Sequence, residues 1–131
     1  MDDIASDALK RYMETYRYDE AKFETYELPA DDIIEGDPRT EVAILHAAED
    51  GSVLAGVSRF TEGKYRYRQT ADEINFVTEG RMIITSDQDD RAIECVAGSM
   101  TRLDRGVTYT KNVVEPYEEL FVMLSPTGVQ M

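Results

Sequence analysis

A chain of 131 residues, 42% hydrophobic and 31% charged, has the size and composition of one globular domain with a single core. Its net charge of −13, from 27 acidic against 14 basic residues, argues against nucleic acid or an anionic membrane surface as a partner. No apolar run approaches the ~20 residues of a membrane helix, the acidic start Met1-D-D-I-A-S-D has no basic leader region, and the one cysteine, Cys95, cannot form an internal disulfide; a cytoplasmic protein is expected.

In chain order, Ala5, Leu9, Tyr12, Met13 and Tyr16 fall at helical spacing behind Asp3, Ser6 and Asp7, which predicts one short amphipathic helix over residues 5 to 16. From Tyr16 to Asp37 the chain is polar, Tyr-rich and punctuated by Pro29, Gly36 and Pro38, so it reads as an extended arm. From Thr40 onward short β-rich runs follow: Glu41 to His46, Val53 to Phe60, Tyr65 to Gln69, Glu73 to Thr78, Arg81 to Ser86, Arg91 to Val96, Met100 to Leu103, Val107 to Val114 and Glu118 to Leu124. Turn chemistry separates them, for example Glu49-D-G-S52 and Asp104-R-G106. Such regular strand spacing predicts an all-β antiparallel sandwich or barrel.

Two blocks narrow this choice. The first is Gly63-K-Y-R-Y-R-Q-T-A-D-E-I-N-F-V-T-E-Gly80 and the second is Gly98-S-M-T-R-L-D-R-G-V-T-Tyr109. With Glu35-G-D-Pro38 and Gly56-V-Ser58 ahead of them, in order and over about ninety residues, they resemble the cupin superfamily. Within it they resemble the subfamily called DUF861 or Cupin 3, which is similar to the EutQ cupin domain and to ureidoglycine aminohydrolase-like cupins. The resemblance implies a single-domain jelly-roll β-barrel over residues 35 to 131, preceded by a helix and arm over 1 to 34. It also implies pairing as a homodimer. The chain departs from the subfamily at Ser58, where relatives commonly carry Trp, and at Asp104, where they carry Pro.

The family's metal is commonly held by two histidines and a glutamate of the first block and one histidine of the second. Here only the glutamate, Glu73, remains, and Tyr109 stands in place of the last histidine. The other two places hold Gln69 and Tyr67 in one register, or Arg68 and Arg66 in the other. Enzyme sites for zinc, iron, nickel or manganese need three or four convergent ligands, so no metal and no other cofactor is expected.

Strand alternation then gives a candidate pocket. If Glu73 points inward, so do Asn75 and Val77; if Tyr109 does, so does Lys111. Glu73, Tyr109 and Lys111 are the candidate catalytic groups: Glu73 as base or acid, Tyr109 as proton donor, and Lys111 as an anchor for negative charge. A structural ion pair filling the former metal space is the competing reading. In Tyr65-Arg66-Tyr67-Arg68 one face carries both tyrosines and the other both arginines, so only one pair can line the barrel, beside Gln69. The single histidine, His46, ends its strand either as a surface residue or as a base lining the pocket. Cys95 reads as a buried structural thiol. No G-x-S-x-G elbow, Walker loop or dinucleotide fingerprint is present. The expected function is binding of a polar, anionic small metabolite with metal-independent acid/base catalysis of an isomerase, lyase, cyclase or hydrolase type. The alternative is a non-catalytic ligand- or partner-binding cupin that has lost its metal.

Overall fold

The computed structural model describes residues 12–131. The helix predicted over residues 5 to 16 begins outside the described residues, and its described end, Tyr12 to Tyr16, is not helical. Nine strands follow: β1 Glu24–Tyr26, β2 Ile33–Gly36, β3 Thr40–Ala47, β4 Val53–Phe60, β5 Gly63–Arg68, β6 Asp72–Ser86, β7 Ala92–Val96, β8 Met100–Leu103 and β9 Thr108–Leu124. The sequence places β4 and β8 at their observed bounds. It does not reveal β1 and β2, whose pairing partners lie elsewhere in the chain.

All strand pairs are antiparallel, and β9 is the spine of the sheet. Along one side, its first half pairs with β5 and its second half with β4, while β6 runs along the other side. Strand β6 in turn pairs with β8 through Glu73 to Phe76 and with β7 through Arg81 to Thr85. The result is an all-β sheet curled around one core, in which Tyr65, Val77, Met82, Leu103 and Val113 are almost fully buried.

The alternation that predicts the pocket is visible in β6. Glu73, Asn75 and Val77 are buried, while Ile74 and Phe76 between them are exposed. The sequence suggests two strands on either side of Glu79-Gly80, and two more around residues 115–117. Each of these pairs is one continuous strand with a bend, and the two bends face each other, with register shifts in β6 from Val77 to Met82. Gly80 makes the bend possible: its φ is +81°, and a Cβ there would stand 2.0 Å from the Pro116 carbonyl oxygen.

The arm is more ordered than its composition suggests. Strand β1 pairs with β3 at one margin of the curled sheet and β2 with β5 at the other, so short arm strands cover both edges. Before β1, the arm crosses the outer face through a one-turn 3₁₀ helix, Tyr18–Glu20. There the Tyr18 hydroxyl donates to Glu118 Oε2 at 2.5 Å and Arg59 Nε donates to the same oxygen at 2.9 Å. Thr78 Oγ1 donates to Glu118 Oε1 at 2.6 Å, and the Arg59 guanidinium lies 3.8 Å from the Phe23 ring centroid. Among the described residues no helix is long and apolar enough to cross a membrane.

Candidate functional site

Inside the curl lies a cavity of about 60 Å³. Glu73 from β6, Lys111 and Glu119 from β9, and Tyr65 and Tyr67 from β5 supply its polar wall. Tyr26 and Leu28 of the arm close one side of it.

Glu73 is held from both sides. Gln69 Nε2 donates to its Oε1 at 3.2 Å, and Asn75 Nδ2 donates to its Oε2 at 2.8 Å. Because a carboxylate only accepts, these contacts fix each amide with its nitrogen toward Glu73. The two amide oxygens, Gln69 Oε1 and Asn75 Oδ1, are left buried without partners among the described residues. Gln69 is itself anchored through its backbone, its N–H donating to Val107 and its carbonyl accepting from Gly106. The inward set of Glu73, Gln69 and Asn75 therefore forms one unit.

Glu119 is the residue that sequence reasoning misses. It is 4% exposed, sits across from Ser58 of β4, and shares the cavity with Glu73. Burial pushes its carboxyl well above the usual carboxylate range, and the charge of Glu73 pushes it the same way, with Lys111 acting against both. The nearby Tyr117 hydroxyl also opposes the rise, but among the described residues it completes no hydrogen bond of good geometry. Burial and Glu73 thus both favour the protonated form of Glu119.

Lys111 is 5% exposed, and its Nζ lies 4.8 Å from the Tyr67 ring centroid. Among the described residues it makes no hydrogen bond and no ion pair within 4.0 Å. Burial works against its charge, but acidic neighbours, Tyr65 and Glu73 foremost, outweigh burial and hold it above its ordinary value. Burial also raises Tyr65 and Tyr67, so both present protonated phenols to the cavity.

Other candidate residues sit elsewhere. Tyr109 points inward as alternation predicts, but its hydroxyl accepts from the Asp104 N–H at 2.8 Å, and it does not line the cavity of Glu73 and Lys111. That bond secures the turn after β8, and the hydroxyl stands away from the cavity where a proton donor would be needed. Tyr65 and Tyr67 take the inner face of β5, so Arg66 and Arg68 are turned outward and exposed. His46 is exposed on the outer side, where its Nδ1 is 2.8 Å from the Tyr16 hydroxyl. It pins the arm and does not reach the cavity. Cys95 is buried, with Thr101 Oγ1 at 3.4 Å, as a structural thiol should be.

The donor set does not suit a divalent cation. Both oxygens of Glu73 already accept amide donors, the ammonium of Lys111 shares the cavity, and among the described residues no three His, Cys, Asp or Glu side chains converge. The arrangement can instead hold one negative group and present two carboxyls in different surroundings, Glu73 between two amide donors and Glu119 buried beside it.

A family model described as the EutQ-like cupin domain matches residues 47–120. The chain belongs to the EutQ-like cupin family. Solved structures show the same cupin fold at low identity. The Clostridium difficile EutQ protein is 16% identical with a TM-score of 0.60, over 76% of this chain and 80% of that one. A predicted oxalate decarboxylase from Thermotoga maritima is 15% identical with a TM-score of 0.65, over 85% and 98%. A cupin superfamily protein from Desulfitobacterium hafniense is 15% identical with a TM-score of 0.54, over 70% and 80%. No curated protein matches the chain. As a cupin, the chain keeps the family's inward glutamate and surrounds it with amides, a second carboxyl and a lysine.

Proposed function

We propose that this cupin binds a small anionic metabolite in the cavity and acts on it by metal-independent proton transfer. One observation carries the reading: Glu73 and Glu119 are both almost fully buried on one pocket, yet Glu73 accepts two amide donors while burial and the charge of Glu73 push the Glu119 carboxyl up. Two carboxyls set apart by their surroundings are the usual basis for separate acid and base roles at one pH. Glu73 takes a proton from the carbon next to a carbonyl or carboxyl group, and the C–H electron pair moves into the enolate. Lys111 offers charge to the enolate oxygen, and Glu119 returns a proton to the product. An isomerase or lyase follows from this step, according to which carbon is reprotonated or which bond breaks.

The test is solvent deuterium exchange, followed by proton NMR, across a panel of small 2-oxo and 2-hydroxy acids. The wild type should exchange or turn over at least one of them. Glu73→Gln and Glu119→Gln should each slow that reaction by about 10²-fold or more, with circular dichroism unchanged. Folded variants that match the wild-type rate would remove the mechanism. Binding without exchange anywhere in the panel would instead favour the non-catalytic ligand-binding reading.

A further inference from the structure

The cavity also defines what it can hold. Lys111 is a largely buried ammonium whose charge its acidic neighbours favour, yet it completes no hydrogen bond and no ion pair among the described residues, so its donors are free for a ligand. The Thr40 hydroxyl is a second, independent sign of a missing partner. Thr40 is 4% exposed, its hydroxyl has no hydrogen bond among the described residues, and it lines the same cavity. Around these two groups the wall is mostly apolar, from Val42, Phe60, Phe121 and Met123.

Size restricts the occupant further. One water needs about 10–15 Å³ of cavity on this scale, so the inner part, about 60 Å³, takes roughly four to six heavy atoms, and a longer ligand would extend out of the open side. Charge restricts it too, since a second negative charge would meet Glu73 with no second cation among the described residues lining the cavity.

We infer that the ligand is a short monocarboxylate, with its carboxylate at Lys111 and a small, largely apolar body against Val42, Phe60, Phe121 and Met123. Ligands with a second charged group are disfavoured beside Glu73, and the apolar wall disfavours polyhydroxylated ones. This inference rests on the same cavity as the proposed proton transfer, but it concerns binding alone.

Propionate, propionamide and succinate separate the two. Titration calorimetry and thermal shift are run on the intact chain at constant ionic strength, because the net charge of −13 makes stability sensitive to salt. Propionate should bind saturably in the millimolar range, with the neutral amide and the longer dianion each roughly tenfold weaker or more. Lys111→Met should weaken propionate by a similar factor, and Thr40→Val by less. Should Lys111→Met fail to fold, the ratio of propionate to propionamide in the wild type decides. Equal binding of the acid and its amide, a folded Lys111→Met variant with unchanged affinity, or no propionate binding would overturn the inference. Glu73→Gln should keep or tighten propionate binding while abolishing exchange, so failure of the chemistry and failure of the binding site read differently.

Discussion

At the scale of single residues, the neighbouring glutamates of β9 divide the molecule. Glu118 faces outward into the arm's hydrogen bonds, and Glu119 faces inward into the cavity, both almost fully buried. Their electrostatics differ accordingly. Burial alone would raise Glu118, but its bonds to Thr78, Tyr18 and Arg59 bring it below the usual range, whereas Glu119 is raised. For Glu119 the linkage has a definite sign. Below about pH 4.3 the folded and unfolded chains both hold the proton, and the group contributes nothing to pH dependence. Above that, the unfolded chain releases a proton that the folded chain keeps, so stability falls as pH rises, by up to about 1.4 kcal/mol per pH unit, until the raised folded value is reached. Glu119→Gln removes this slope. Urea unfolding between pH 5 and pH 8, approximate bounds set by the ordinary glutamate value, should show the variant gaining on the wild type as pH rises; a difference that stays constant with pH would contradict the assignment.

At the scale of elements, the arm is attached by a small number of strong contacts. Glu118 is 6% exposed at its side chain and Arg59 is 44% exposed, so their pair lies between a buried and a surface salt bridge. Discounted for that exposure, Arg59→Ala should cost about 1–3 kcal/mol by leaving Glu118 partly uncompensated. Tyr18→Phe should cost about 1 kcal/mol. Equilibrium unfolding measures both. Trypsin cleavage after Lys22 should speed up in Arg59→Ala, and an unchanged cleavage rate would mean that the arm is held by β1 and β2 alone.

The elements also show where sequence reasoning succeeds and why it stops. Period-2 alternation locates the core strands and groups the residues that share a face of β6 and of β5, because one face of each meets the core and the other does not, but it leaves open which face of β5 turns inward. Glu119 is missed for a specific reason. With β9 divided at Pro116, the segment from Glu118 to Leu124 has apolar residues on both faces, and its inward side is undetermined. Read as one strand from Thr108, the odd positions continue from Tyr109 and Lys111 through Val113 and Tyr117 to Glu119, and all of these are buried. The bend that Gly80 accommodates is what conceals this continuity. Strands β1 and β2 are hidden for a different reason: they are three and four residues long, and their identity comes from the edges they cover.

At the scale of the whole molecule, charge is the dominant feature. Twenty-seven acidic residues on a chain of 131 repel one another, and the folded state concentrates them more than the unfolded state does. Added salt screens exposed charges beyond about 10 Å at 0.1 M, so the melting temperature should rise with sodium chloride from low to moderate concentration. A melting temperature that falls over the same range would mean that attractive surface pairs, such as Arg81 with Glu94 at 3.0 Å, outweigh the general repulsion.

The tyrosines of the cavity wall have an optical consequence. The chain has eight tyrosines and no tryptophan, so its near-ultraviolet emission comes from phenol rings alone. Three of them, Tyr26, Tyr65 and Tyr67, border the cavity, and the ammonium of Lys111 rests over one. A molecule that enters and neutralises that ammonium changes the surroundings of those emitters directly, with no indole to mask the signal. Occupancy can therefore be followed by intrinsic fluorescence on the unlabelled protein.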